Sequence, residues 1–166
     1  MYALIIIALI IHVLSAVFLV GSSIFVWIVV WPASYTMSDE KLRTRFMSVM
    51  GKKFAFYTNL SVLFLTITGI YMVYSVRPVY ITNFYGAISQ TWGQILTIKI
   101  VTVASMYALM YGNNIWHGKL IPRLAENGNF EKLKQVRKIA HLLSFITVFL
   151  MVLIVIEAVF LAGVFW

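Results

Sequence analysis

Four long apolar stretches, separated by three shorter polar ones, make up most of the chain. They run over residues 3–31, 54–76, 92–116 and 139–165. Each is long enough to cross the hydrocarbon core of a bilayer, which takes roughly 20 residues in a helix. Backbone N–H and C=O groups inside lipid must pair internally, so each stretch is predicted to be a helix. The pattern predicts an all-α integral membrane protein, one domain of residues 1–166 that forms a four-transmembrane-helix bundle.

Proline and tryptophan residues mark the predicted ends of these helices. Pro32 is predicted to end the first helix, and Arg77-Pro78 to end the second. Trp92 and Trp116 bracket the third helix as interfacial anchors. The boundaries of the four predicted helices follow from these residues and from the limits of the apolar stretches.

Composition narrows the class of protein. Of 166 residues, 62% are hydrophobic and only 11% are charged, whereas soluble domains carry about 25% charged residues. Cysteine is absent, which excludes disulfides and thiolate metal sites. The sequence contains no nucleophile–base–orienter set and no phosphate-binding or HExxH motif, so hydrolytic chemistry has no support.

The basic residues are concentrated in two of the three connections. Residues 32–53 hold five and residues 117–138 hold six, which together are eleven of the 13 in the chain. The positive-inside rule makes these two connections cytoplasmic and places both termini outside, in the plasma membrane. Because the net charge of +8 lies beside the membrane, the lipid bilayer is the expected partner and nucleic acid is not.

The connections themselves have local signals. Ser38-Asp39-Glu40 is predicted to cap a basic amphipathic segment on the inner surface. Asn127-Gly128 predicts a turn, followed by a cytoplasmic extension of the fourth helix. The connection 77–91 carries Arg77 as its one charge and is rich in aromatic residues, which suits a lid at the outer interface.

Three ionisable residues lie inside the predicted spans at one depth. His12, Lys99 and Glu157 are each about five residues outside the middle of their helix, or roughly 7 Å from the midplane. Ionisable groups inside a membrane mark functional sites by default. The alternative is a polar clamp, in which Lys99 and Glu157 pair and His12 bonds either of them.

A second set of candidates lies toward the cytoplasm. His117 ends the third span and His141 opens the fourth, and two imidazoles at matching depth can ligate a haem axially or bind a metal ion. The alternative is that both histidines are hydrated at the membrane interface and ligate nothing. Lys99, Met106, Met110 and His117 fall within roughly 20° of a common direction on the third helix.

The fourth helix limits what its two ionisable residues can do together. Glu157 and His141 are 16 residues apart and point to nearly opposite faces. We therefore expect that they do not both face the bundle axis.

Three short motifs suggest a family. The opening pattern His12-x8-Gly21-x10-Pro32, TGIYMVY over 68–74 and WGQILTIKI over 92–100 resemble the superfamily that joins the copper-resistance D membrane domain with the HemJ-type protoporphyrinogen oxidases. The resemblance implies functional roles for His12 and Lys99 and a bound b-type haem. The chain lacks the Trp-Phe-Ala-Gly and Leu-Pro-Arg signature of that enzyme, so the resemblance implies the architecture and a haem or metal role.

Together these patterns predict a haem b-binding membrane protein in electron transfer or tetrapyrrole redox chemistry, an oxidoreductase of HemJ-like type. His12 is the predicted iron ligand, with His117 and His141 as the alternative pair. Lys99 is predicted to bind a propionate or to act catalytically in proton transfer. A quinone or a tetrapyrrole is the expected small-molecule partner.

Two other functions remain open. One is a copper-handling membrane protein that uses Met106, Met110 and the three histidines, since thioethers favour Cu(I). The other is a non-catalytic subunit of a respiratory membrane complex, whose polar layer only packs the helices. The chain is expected to act in such a complex or as a homo-oligomer.

The topology can be tested directly. Because eleven of 13 basic residues lie on one side, a reporter fused after Trp166 should behave as translocated. A reporter fused within residues 117–138 should behave as cytoplasmic and serves as the control. Cytoplasmic activity of the Trp166 fusion would contradict the predicted orientation.

Overall fold

The computed structural model describes residues 2–163 and shows an all-α membrane protein. The helices are α1 (Tyr2–Phe25), α2 (Trp31–Ser34), α3 (Glu40–Val76), α4 (Val79–Thr82), α5 (Phe84–Ile88), α6 (Thr91–Glu126) and α7 (Phe130–Leu161). Four helical stretches are long and apolar enough to cross a membrane, and no strand occurs within residues 2–163. The predicted fold class is confirmed.

The first span does not end at Pro32, so that prediction is wrong. A single π-helical turn, Val26–Val30, joins α1 to α2, and the Trp31 N–H donates to the Val26 carbonyl five residues earlier. Pro32 lies in the first turn of α2, where its missing N–H removes no hydrogen bond that the helix needs. The helix therefore continues to Ser34.

The other three long helices extend well beyond the predicted spans at the end of the bundle that the basic residues predict to be cytoplasmic. α3, α6 and α7 have 37, 36 and 32 residues. The predicted amphipathic segment is the beginning of α3 and is continuous with its membrane span. Its cap is Asp39, whose side chain accepts from the Lys41 N–H at 2.8 Å. Continuing a helix satisfies the backbone without a new nucleation step, which explains the length.

The four long helices form two antiparallel hairpins, α1 with α3 and α6 with α7, which pack side by side. Two hydrogen bonds set the register of α6 against α7. Thr102 Oγ1 lies 2.8 Å from Glu157 Oε1, and Asn113 Nδ2 donates to Ser144 Oγ at 3.1 Å. The α3–α6 contact carries a further hydrogen bond of 3.1 Å between Thr66 and Tyr107. Contacts between α1 and α7 close the bundle.

The interior of the bundle is partly polar, as expected where lipid removes the hydrophobic drive between helices. One apolar cluster, contributed by all four long helices, occupies its middle: Leu19, Val62, Met106, Met110 and Met151. Buried hydroxyl and amide side chains surround it: Ser15, Ser23, Thr58, Ser61, Thr68, Thr102, Asn113 and Thr147.

Two short helices cover the outer end of the bundle where a lid was predicted. α5 packs its fully buried Ala87 against the start of α6. A Cβ atom on Gly93 would lie 2.0 Å from the Ala87 carbonyl oxygen, so this close approach requires glycine. The Tyr80 hydroxyl lies 2.9 Å from Thr97 Oγ1 and ties α4 to α6.

A partly buried ion cluster joins α3 and α7 at the end of the bundle that was predicted to be cytoplasmic. The Glu40 carboxylate contacts Arg137 and lies 3.5 Å from Arg43. Arg137 also donates to Thr44 at 2.7 Å, and the Arg43 guanidinium lies 3.8 Å from the centre of the Tyr35 ring. The predicted turn at Asn127-Gly128 is confirmed, with Gly128 at φ +68°.

The Gly93 contact generates a stability prediction. Gly93→Ala should lower the free energy of unfolding in detergent by about 1–3 kcal/mol, because the new methyl group overlaps the Ala87 carbonyl. Thermal melting of the purified protein measures the change. Gly112→Ala is the control, since nothing lies within 4 Å of a Cβ atom at that position. Equal melting temperatures for the two variants would contradict the packing described here.

Candidate functional site

His12 lies on the buried face of α1 and contacts α3. Its Nδ1 lies 2.8 Å from Thr68 Oγ1. A Cβ atom on Gly69 would lie 3.4 Å from the ring, so glycine leaves the imidazole room beside the helix. Ser23 on the same helix does not bond the ring, since it donates to the Leu19 carbonyl at 2.7 Å.

Hydrogen-bond geometry assigns the tautomer of His12. Thr68 Oγ1 lies 2.5 Å from the Phe64 carbonyl oxygen, which can only accept. The hydroxyl has a single proton, so toward His12 it accepts a hydrogen bond from Nδ1–H. The Leu65 carbonyl is a second acceptor of α3 that interacts with the ring. Nε2 then carries the lone pair, which is the atom available to a metal ion.

Lys99 and Glu157 do not form the ion pair of the polar-clamp alternative. Lys99 interacts electrostatically with both His12 and Glu157. Within residues 2–163, however, no carboxylate oxygen lies within 4.0 Å of the Lys99 nitrogen. Thr102, one turn after Lys99 on α6, bonds the Glu157 carboxyl in its place.

Three methionines meet in the middle of the bundle. Met106 and Met110 are one turn apart on α6, and both belong to the buried cluster that includes Met151 of α7. The Thr102–Glu157 and Asn113–Ser144 hydrogen bonds bracket this level, which places Met151 opposite the two. All three side chains are at most 7% exposed.

The sequence pattern did not identify Met151 as a candidate site residue. It stands alone in a run of aliphatic residues and has no periodic partner on its own helix. Its relation to Met106 and Met110 depends on how α6 and α7 pair, which the single-helix periodicity does not contain.

His141 lies between two indole rings of the first span. Its ring centroid is 5.6 Å from that of Trp27 and 4.7 Å from that of Trp31, with the rings nearly parallel. Its Nδ1 and the Trp27 Nε1 are buried and have no hydrogen-bond partner among residues 2–163. His141 therefore faces α1.

His117 is half-buried near the end of the α6 span that was predicted to be cytoplasmic. The register of α6 against α7 puts it level with His141, as predicted. The face of α7 that meets α6 is formed by Ala140 and Ser144, which receive Asn113. Since His141 turns away from that face, the structure does not bring the two imidazoles together.

Comparison with known proteins identifies the family of this chain. The family model described as copper resistance protein D, CopD, matches residues 49–163. The chain belongs to the CopD family. The comparisons with curated proteins and with solved structures found no match. The matched region contains the three methionines, Lys99 and Glu157, whereas His12 precedes it.

Among the described residues of this CopD-family protein, no second histidine is close enough to His12 for the two to ligate the same haem iron. His12 is 15 residues from Trp27, which contacts His141, and this is about 22 Å along a helix. His117, level with His141, is equally remote. Within residues 2–163 no group of three His, Asp or Glu side chains is placed to hold a metal ion. Any metal in the core would depend on thioether and single imidazole ligands.

The hydrogen bond of His12 can be tested by stability. Thr68→Val should lower the free energy of unfolding by about 1–3 kcal/mol, because the Nδ1–H of His12 loses its acceptor at a buried site. Thr58→Val is the matched control, since the buried Thr58 hydroxyl has no partner among the described residues. That variant should melt at the wild-type temperature or above. A Thr68→Val protein as stable as Thr58→Val would contradict the assignment.

Proposed function

We propose that this CopD-family protein handles copper within the membrane and binds it as Cu(I) at Met106, Met110 and Met151. The observation that carries the proposal is the meeting of three buried methionines from two helices at the centre of the bundle. Thioether sulfur is a soft ligand that selects Cu(I) over harder ions such as Mg²⁺ and Ca²⁺. Membership of a copper-resistance family agrees with this chemistry.

The surroundings of the cluster suit a monovalent copper ion. Leu65 packs against the cluster, and Thr68, one turn further out on α3, holds His12. The Nε2 lone pair of His12 is then a neutral nitrogen donor on the outer side of the thioethers. His141, ten residues from Met151 along α7, is a further donor on the inner side. The bundle interior thus offers copper ligands at three depths.

The ligands are neutral, and this matters inside a membrane. Binding Cu(I) to thioether and imidazole groups adds one positive charge to a low-dielectric interior, and such a charge is costly unless compensated. Lys99 adds to that cost when it is charged, whereas Glu157 can offset it. In this proposal Lys99 sets the electrostatic potential of the site, and its catalytic role stays a prediction.

Haem b stays a prediction and is the competing function. The Nε2 lone pair of His12 favours it, since one axial ligand of a haem iron needs such an atom. The chain has three histidines, and neither of the other two lies at the depth of His12. Electron transfer, a quinone or tetrapyrrole partner, HemJ-like oxidation and membership of a larger complex or homo-oligomer also stay predictions.

Copper binding gives a direct test. The triple variant Met106→Leu, Met110→Leu, Met151→Leu should bind Cu(I) at least about tenfold more weakly than wild type in competition with a coloured Cu(I) chelator, a loss of about 1.4 kcal/mol or more. Leucine keeps the volume of the core, so the fold should persist. Met72→Leu, at a half-buried position of α3, is the matched control and should bind as wild type does.

Two outcomes would contradict the copper function. One is equal Cu(I) affinity of the triple variant and the Met72→Leu control. The other is a reduced-minus-oxidised haem spectrum in the purified protein that His12→Ala removes and the triple variant keeps. The second outcome would favour the haem function.

A further inference from the structure

Glu157 is a buried carboxyl group whose hydrogen bonding is incomplete. The residue is 7% exposed and lies in the outer half of the α7 span. Its Oε1 is 2.8 Å from Thr102 Oγ1, whereas Oε2 is buried and has no hydrogen-bond partner among residues 2–163. A carboxylate in lipid needs a paired cation and several donors to offset its desolvation. The Lys99 nitrogen is not within ion-pair distance of it.

The Thr102 hydroxyl decides how the carboxyl is bonded. Its oxygen is 2.9 Å from the Ile98 carbonyl and 2.8 Å from Glu157 Oε1, but it has only one proton. Three other mid-helix threonines of this chain donate to the carbonyl four residues earlier: Thr66, Thr97 and Thr147. If Thr102 does the same, the proton between Thr102 and Glu157 belongs to the carboxyl.

The environment of Glu157 contains few other titratable groups. Lys99 of α6 interacts with it electrostatically, and His12 of α1 interacts with Lys99. On α3, Tyr71 lies at about the same level, given the Thr66–Tyr107 hydrogen bond that aligns α3 with α6. Arg77 lies further out, 5.0 Å from the centre of the Trp92 ring.

We propose that Glu157 is a proton-exchange site, which holds a proton in the copper-free protein and releases it when Cu(I) enters the core. The inference rests on the copper function proposed above. In the exchange the O–H bond of the Glu157 carboxyl breaks, the proton leaves to the aqueous phase, and the carboxylate remains. Copper stays Cu(I), so no electron is transferred.

The exchange keeps the net charge of the site constant when copper binds. Met151 and Glu157 are six residues apart on α7, about 9 Å along the helix. Interactions over this distance are strong where water is excluded, so an entering cation favours the ionised carboxyl. One charge enters and one proton leaves, and the net charge of the core is unchanged. Copper affinity should therefore rise with pH, since protons compete with the ion.

The test uses the full chain in detergent and Cu(I) alone as the probe. Wild type titrated with Cu(I) in weakly buffered solution should release about one proton per bound ion, read by an indicator dye, and its affinity should rise up to about tenfold per pH unit. E157Q should bind Cu(I) with no proton release and little pH dependence. E131Q, at an exposed cytoplasmic position of α7, should behave as wild type.

Infrared spectroscopy gives a second measurement that needs no copper. Metal-free wild type should show the carbonyl band of a protonated carboxylic acid that E157Q lacks and that Cu(I) removes. T102V keeps the carboxyl but deletes its partner, so it should shift this band without abolishing it. This variant serves also if E157Q does not insert.

The outcomes separate the two proposals. A wild-type protein that binds no Cu(I) overturns the copper function and the exchange with it. Cu(I) binding with equal proton release in wild type and E157Q overturns the exchange alone. A metal-free wild type without the carbonyl band does the same.

Discussion

The structure depends on how α6 and α7 are held in register. In lipid, apolar side chains gain little from leaving their surroundings for another helix, so polar contacts and close packing decide the alignment of neighbours. Here Thr102 meets Glu157 near the outer side, and Asn113 meets Ser144 and the Ala140 carbonyl nearer the inside. A slip of one residue would break both contacts.

The candidate copper site follows from this register. Only in the observed alignment does Met151 come level with Met106 and Met110 in the central cluster. The same alignment places Glu157 beside the part of α6 that carries Lys99. There the Glu157 carboxyl would interact with the charge of a bound ion. The copper ligands and the carboxyl group that can balance the charge of the bound ion therefore both lie on the same pair of helices.

A few buried side-chain atoms have no hydrogen-bond partner, and two of them belong to ionisable residues. Membrane proteins satisfy nearly all buried polar atoms, because an unpaired one in hydrocarbon is costly. The exceptions among residues 2–163 are five side-chain atoms: Trp27 Nε1, Thr58 Oγ1, Asn113 Oδ1, His141 Nδ1 and Glu157 Oε2. Two of these belong to ionisable residues at opposite depths of the bundle. The inner one, His141, is positioned by stacking between two indoles, and stacking leaves its ring nitrogens available.

The sequence by itself determined the class of protein and the depth of its polar residues. Apolar stretches of sufficient length predict helices, and a rise of 1.5 Å per residue converts position along the chain into depth. This is why the sequence alone could assign a depth to His12, Lys99 and Glu157, and why it could predict a common level for His117 and His141. It also explains why the turn at Asn127-Gly128, a local signal, was found.

Only the tertiary structure decided which of these residues meet. Rotation about the helix axis and register between helices depend on side chains from all four spans, and single-helix patterns do not contain that information. Thus His12 bonds Thr68, Lys99 does not pair directly with Glu157, and His141 turns toward α1. Pro32 does not end its helix because the π-helical turn before it places the proline in the first turn of α2, where no N–H donor is required. Met151 belongs to the site because of the residues that pack around it, and the sequence of its own helix does not reveal those neighbours.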